Sequence, residues 1–248
     1  MLLASGFILL LLAGYMVWAK PFSFKPAPEA LDIITKSRSV QKIDLGWDGT
    51  SYAFVPDRTK AQQGKGLILY PGGLIDARAY APLMQAIAEE GYLAITVAMP
   101  LDLAVFGYKR AAAVLKQFPE IEKWALGGHS LGGVMACRYV RSSPAKIFGL
   151  ILLASYPSHR FRVDAMKLQT VSVFATRDGL TKLSDIEESK QHLPVETQFS
   201  EIQGGNHSQF CFLKKKNQRY PKDNPATISH AQQQQETIRA AVDILKRL

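Results

Sequence analysis

The sequence predicts a doubly wound α/β fold on a mostly parallel sheet, and three observations predict it. Short apolar runs alternate with helix-length segments along most of the chain, and parallel strands need such crossovers because no tight hairpin can join them. The composition, 47% hydrophobic and 21% charged over 248 residues, is that of one sizeable globular domain. A serine set among glycines, in "ALGGHSLGGV", falls between an apolar strand and a helical pattern. In open α/β sheets that junction is where reactive groups sit.

The elements follow in order. Residues 1–19, "MLLASGFILLLLAGYMVWA", carry no side chain charged at neutral pH and are long enough to cross a hydrocarbon core of roughly 30 Å. They read as an N-terminal anchor; Val17 and Ala19 also fit a signal-cleavage site, although the basic n-region is missing. Tyr15 and Trp18 suit a membrane interface, and Lys20 and Lys25 favour a body on the cytoplasmic side. Residues 20–39 read as a connecting segment and 40–248 as the globular α/β domain.

Within that domain "VQKIDLGW" and "SYAFVP" have no helix between them and predict an antiparallel pair at one edge. "KGLILYPGG" predicts a buried strand, after which Tyr80, Leu83, Met84 and Ile87 mark one helix face. "YLAITVAMP" is the next strand, followed by a helical stretch over Ala104 to Phe118. "KWALGG" is a strand and "SLGGVMACRYV" a helix; "IFGLILLAS", "VSVFATRD" and "ETQFSEIQGG" supply further strands. Ile238, Ala241, Val242 and Leu245 form the apolar face of a closing helix, opened by a capping box of Ser229 and Gln232.

The glycines around Ser130 have a steric logic. Gly128 and Gly132 leave room where any Cβ would clash across a very sharp strand-to-helix turn, and Gly127 and Gly133 allow close packing of helix on strand. The turn pushes the hydroxyl out above the sheet. The N–H of Leu131, at the helix N-terminus, is then aimed where negative charge develops on an attacked carbonyl. Here the chain resembles the α/β-hydrolase superfamily, its small cap-less bacterial esterase-type members in particular, with Gly128-His129-Ser130-Leu131-Gly132 matching the G-x-S-x-G nucleophile elbow. The resemblance runs from about residue 40 to the end.

The resemblance implies an acid and then a histidine downstream of the serine. Asp178 ends "VSVFATRD", where the family places its acid, and His207 in "GGNHSQF" resembles the catalytic histidine loop. Such a trio is needed because a serine hydroxyl is a poor nucleophile until an imidazole takes its proton, while the carboxylate holds the imidazole tautomer. The second oxyanion donor is implied to come from "LYPGGLID", where Tyr-Pro-Gly-Gly stands in place of the family's His-Gly turn; Gly73 is the first choice and Leu74 the second. His129 is expected to point away from the reacting face, and His159, His192 and His230 read as loop or helix residues. Asp185 reads as a helix start, and Asp164 lies early for the acid.

About fifteen residues separate the strand ending near Ser155 from the one starting near Val171, too few for a large cap domain, so an open site is expected. No cofactor is implied: Gly72-Gly73 lacks the following Gly-Lys-Ser/Thr of a phosphate loop, and Cys137 and Cys211 have no metal-ligand spacing. The net charge of +9 raises nucleic acid as a partner, yet no nucleic-acid motif is present and the basic residues are mostly scattered. The one cluster, Lys214, Lys215, Lys216, Arg219 and Lys222, reads as a solvated loop or as a positive rim near His207 that meets anionic surfaces. The expected activity is a serine hydrolase forming an acyl-enzyme on Ser130 with a small-molecule ester; thioesters and amides use the same machinery. The alternative is a membrane-tethered, non-catalytic binding or scaffolding protein on the same fold.

Overall fold

A computed structural model describes residues 23–45, 50–62, 64–143, 145–214 and 222–248. The strands β1 (Val40–Ile43), β2 (Ser51–Phe54), β3 (Lys65–Tyr70), β4 (Leu93–Thr96), β5 (Lys123–His129), β6 (Ile147–Leu153), β7 (Gln169–Ala175) and β8 (Gln198–Ile202) form an eight-stranded sheet in the order β1-β2-β4-β3-β5-β6-β7-β8. β1 and β2 are the antiparallel edge pair, β2 joins β4 antiparallel, and every other pairing is parallel. The order reverses at β3, so the crevice at the carboxyl ends of β3 and β5 is where such a sheet places a ligand.

Helices cover both faces: α1 (Pro28–Lys36), α2 (Ala81–Glu89), α3 (Arg110–Gln117), α4 (Leu131–Ser142), α5 (Leu183–Ser189) and α6 (His230–Arg247). Strand alternation divides the core accordingly. Leu67 and Leu69 of β3 pack with Met84 and Ile87 of α2 and Leu245 of α6. Ile68 and Tyr70, one residue out of phase, pack with Val114 of α3 and Met135 and Val140 of α4. The capping box at α6 is formed: Ser229 Oγ accepts from Gln232 N at 3.2 Å, and Gln232 Oε1 accepts from Ser229 N at 2.9 Å.

Two expectations change. The stretch Ala104 to Phe118 is not one helix but a short 3-10 turn, Ala104–Phe106, and then α3. Gly107 separates them where a Cβ would approach Met99 Sδ and Pro100 Cδ at 2.8 Å each. The segment 20–39, read as a connection, belongs to the folded body from Ser23 onward. Ala30 of α1 is fully buried in the core, and residues 23–27 run as a strap between two loops. Phe24 N donates to Leu74 O (2.7 Å) and Ala27 N to Phe212 O (2.8 Å), while Lys214 N donates to Lys25 O (2.9 Å). Too few apolar residues line this stretch for periodicity to reveal it; backbone pairing holds it.

Residues 1–19, the end of "VQKIDLGW" beyond Leu45, and Lys215, Lys216 and Arg219 lie outside the described residues. Among the described residues no helix is long and apolar enough to cross a membrane. Lys214 and Lys222, which flank the undescribed part of the basic stretch, are exposed.

Candidate active site

The elbow lies at the sheet's carboxyl edge. β5 ends at His129 and α4 begins at Leu131, so a single residue, Ser130, makes the turn. Its backbone sits at φ 51° and ψ −124°, a conformation costing an L-residue about 1–3 kcal/mol. Packing enforces it. A Cβ on Gly128 would fall on the backbone of Gly132 and Gly133, and a Cβ on Gly132 would strike the carbonyl oxygens of Tyr70 and Pro71. The turn is further held by Ser130 N donating to Leu153 O (2.9 Å) and by Ser155 Oγ donating to Ser130 O (2.7 Å). Ser130 is half-buried.

Asp178 and His207 come together as the sequence predicts. Asp178 Oδ2 and His207 Nδ1 are 2.8 Å apart, and both side chains are buried, at 1% and 0% exposure. The carboxylate is oriented from behind: its Oδ1 accepts from Leu180 N (2.8 Å) and Thr181 N (2.7 Å). That arrangement leaves Oδ2 for the imidazole and places Nε2 on the far side of the ring. His207 is brought to the elbow by ring packing, its centroid 4.6 Å from that of His129, the residue before Ser130.

His129 is therefore an integral part of the site's floor. Its ring is fully buried, packs on Phe210 as well as His207, and its Nδ1 lies 2.8 Å from Tyr80 Oη. Burial, and then the neighbouring His207, hold its pKa well below the ordinary histidine value. Tyr80 Oη also accepts from Gly72 N at 2.9 Å, so the tyrosine ties the Gly72-Gly73 loop to the elbow. Leu74 N donates to Asp102 O at 2.8 Å and is thereby engaged. A Cβ built on Gly73 would stand 3.4 Å from Leu131 Cδ2, so this loop and the start of α4 adjoin. Leu131 N, at the first position of α4, has no partner within the helix by geometry.

Three residues that sequence reading did not single out support the pair. Asp223 is 4% exposed and touches both loops. Its Oδ1 accepts from Gly179 N (3.0 Å) and His207 N (3.4 Å), and its Oδ2 from Ser208 N (2.9 Å) and Ser208 Oγ (2.6 Å). Gln233 of α6, wholly buried, accepts from Asn206 N (2.9 Å) and donates to Asn206 O (2.8 Å). Asn206 in turn donates through Nδ2 to Asn224 O at 2.7 Å. The only sequence signal was position: polar residues with no periodic role, downstream of a candidate histidine. Asp164 forms an exposed pair with Arg162, and Asp185 caps α5 through Lys182 N, so neither competes with Asp178.

The link from β6 to β7 holds one 3-10 turn, His159–Phe161, and no cap domain. A strained serine at a strand-to-helix elbow, a buried Asp–His pair beside it and a glycine loop after the neighbouring strand thus meet at one end of the α/β sheet. The chain belongs to the alpha/beta hydrolase family, whose model matches residues 66–235. No curated protein matches it by sequence. Its fold is similar to that of an esterase, Est2, from Thermogutta terrifontis (12% identity, TM-score 0.61, 89% of this chain and 94% of that one). It is also similar to an alpha-beta serine hydrolase homologue from Coxiella burnetii (16%, 0.55, 70% and 90%). An esterase domain from a Rhodothermus marinus protein has the same fold (12%, 0.53, 68% and 89%).

Proposed function

We propose that this hydrolase cleaves carboxylic esters of small molecules through an acyl-enzyme on Ser130. His207 acts as general base for the attack and as general acid for the leaving group, and Asp178 fixes its tautomer and supports the imidazolium. The backbone N–H groups of Leu131 and Gly73 receive the oxyanion. In the second half-reaction His207 draws a proton from water, which attacks the acyl carbonyl and frees the serine. The observation that carries the reading is the 2.8 Å Asp178–His207 pair, sealed from solvent and packed on the elbow. A scaffolding protein gains little from burying a carboxylate and an imidazole together, since burial of such groups is costly unless they are paired for use.

The test is an acyl-length series of esters and thioesters with the parent and His207→Gln. The parent should turn over at least one short-chain ester, and His207→Gln, which lacks the general base, should lose that turnover. Activity equal in the two proteins would refute the assignment.

We propose further that residues 1–19 anchor the chain to a membrane. Their charge-free composition supports this, and so does the strap that follows: residues 23–27 pair with the loop bearing Gly73 and with the segment after His207. An anchored chain would thus have its mouth close to the lipid surface, because the four Cα-to-Cα steps from Ala19 to Ser23 span at most about 14 Å. Full-length protein should sediment with membranes and resist high salt, and a chain lacking 1–19 should be soluble and equally active. A chain lacking residues 1–39 should lose the strap and α1 with them, and with those its activity. Recovery of the expressed protein in the soluble fraction with Lys20 as its first residue would show cleavage instead.

A further inference from the structure

Asp178 and His207 lie on separate loops after β7 and β8, and their own hydrogen bond is the last link in a longer chain of contacts. Gly179 follows the acid directly, and Ser208 follows the base directly. Both neighbours, and His207 itself, donate backbone N–H groups to one carboxylate, Asp223. The adjoining residues add to the same connection: Arg177 Nε donates to Pro225 O (2.7 Å) and Asn206 Nδ2 to Asn224 O (2.7 Å). The approach is close, since a Cβ on Gly179 would fall on Lys222 O and lie 2.8 Å from Asp223 Cα. Three consecutive residues, 223–225, therefore brace the acid loop against the base loop.

We propose that Asp223 is a positioning residue for catalysis, setting the distance between the two loops at which Asp178 Oδ2 meets His207 Nδ1. This rests on the hydrolase reading above. A carboxylate suits the task because each oxygen accepts two bonds with no donor to be matched. Asparagine, with nearly the same shape, cannot replace it: one of its two ends is an NH2 group, which would face either Gly179 N and His207 N or Ser208 N, so one loop loses its shortest backbone bond to the brace.

The experiment measures kcat and KM for parent, Asp223→Asn, Asp178→Asn and the double variant on the best ester, with thermal melting to confirm folding. Supporting groups one step removed from a reacting centre characteristically carry about 10–100-fold in activity, and Asp223→Asn should lose that in kcat with KM within about twofold. In the Asp178→Asn background the same substitution should lose little more, because both act through one imidazole. Unchanged kcat, or a loss that multiplies in full in the double variant, would overturn the proposal.

Should Asp223→Asn fail to fold, Gly179→Ala pushes on the brace from the other side and should show the same kcat loss and the same non-additivity. Additive behaviour there would equally count against it. A parent without activity on any ester refutes the ester reading and leaves the brace to be read by proton NMR. The strongly hydrogen-bonded Nδ1–H of His207 should give a far-downfield resonance in the parent that is lost in Asp223→Asn. An unshifted resonance in a folded variant would contradict the positioning role.

Discussion

The two halves of the site are held by different physics. The elbow half is local: Gly128 to Gly132 are consecutive, and packing of backbone on backbone forces Ser130 to φ 51°. The acid–base half is assembled from afar. Asp178 and His207 reach each other across two loops tied by Asp223 and, through Asn206, by Gln233 of the last helix. The elbow is therefore exposed to changes in volume, and the acid–base pair to changes in hydrogen-bonding capacity. Each side should tolerate what breaks the other.

The largest expected effect lies at the junction of the halves. Ser130→Ala should lower kcat by about a thousandfold or more in a folded protein, because triad members act as a unit. Steady-state kinetics on the best ester reads this directly, and a loss of less than tenfold would detach the elbow from the chemistry. Next in size is the steric side. Gly132→Ala drives a Cβ into Tyr70 O and Pro71 O, so it should cost about 1–3 kcal/mol of stability as overpacking and displace Ser130 as well. Urea unfolding of Gly132→Ala beside parent measures it, and parent-like stability would mean that the turn yields easily.

Gln233→Leu tests the polar side, since it preserves volume but leaves the backbone N–H and C=O of Asn206 without their partner. The expected cost is about 1–3 kcal/mol in urea unfolding, with kcat falling while Gly132-type steric damage is absent. A neutral result would show that the histidine loop does not depend on α6.

Much of this was legible from the chain. The elbow announces itself because all its determinants are adjacent, and strand-to-helix alternation gives both the parallel sheet and the position of Asp178 and His207 at strand ends. The β1–β2 edge pair and the capping box at Ser229 follow from equally local patterns. What could not be read is what depends on distant backbone groups. The strap at 23–27 has no periodicity, because its bonds go to Leu74, Phe212 and Lys214. Asp223 looks like any loop aspartate until Gly179 and Ser208 are seen to converge on it. That the His129 ring packs against His207 is equally invisible to local pattern, because the two are 78 residues apart.

The smallest effect comes from that buried ring. His129 has its pKa held low by burial, so the native state keeps it neutral while the unfolded chain protonates it near the ordinary value of 6.5. The unfolded state then binds more protons, and stability should fall as pH drops below about 6.5, by at most about 1.4 kcal/mol per pH unit for this group. His230, also held low by burial, shifts stability in the same direction. Urea midpoints at pH 7.5 and 5.5 should show the decline in parent and a shallower one in His129→Gln, whereas identical slopes would place the acid sensitivity elsewhere.

The central claim is that Ser130 is a nucleophile activated by His207, and covalent labelling tests it most directly. Parent protein treated with a fluorophosphonate, then digested and mapped by mass spectrometry, should carry one adduct, on the peptide holding Ser130, formed far more slowly in His207→Gln. Labelling of another serine, or an undiminished rate in His207→Gln, would contradict the account.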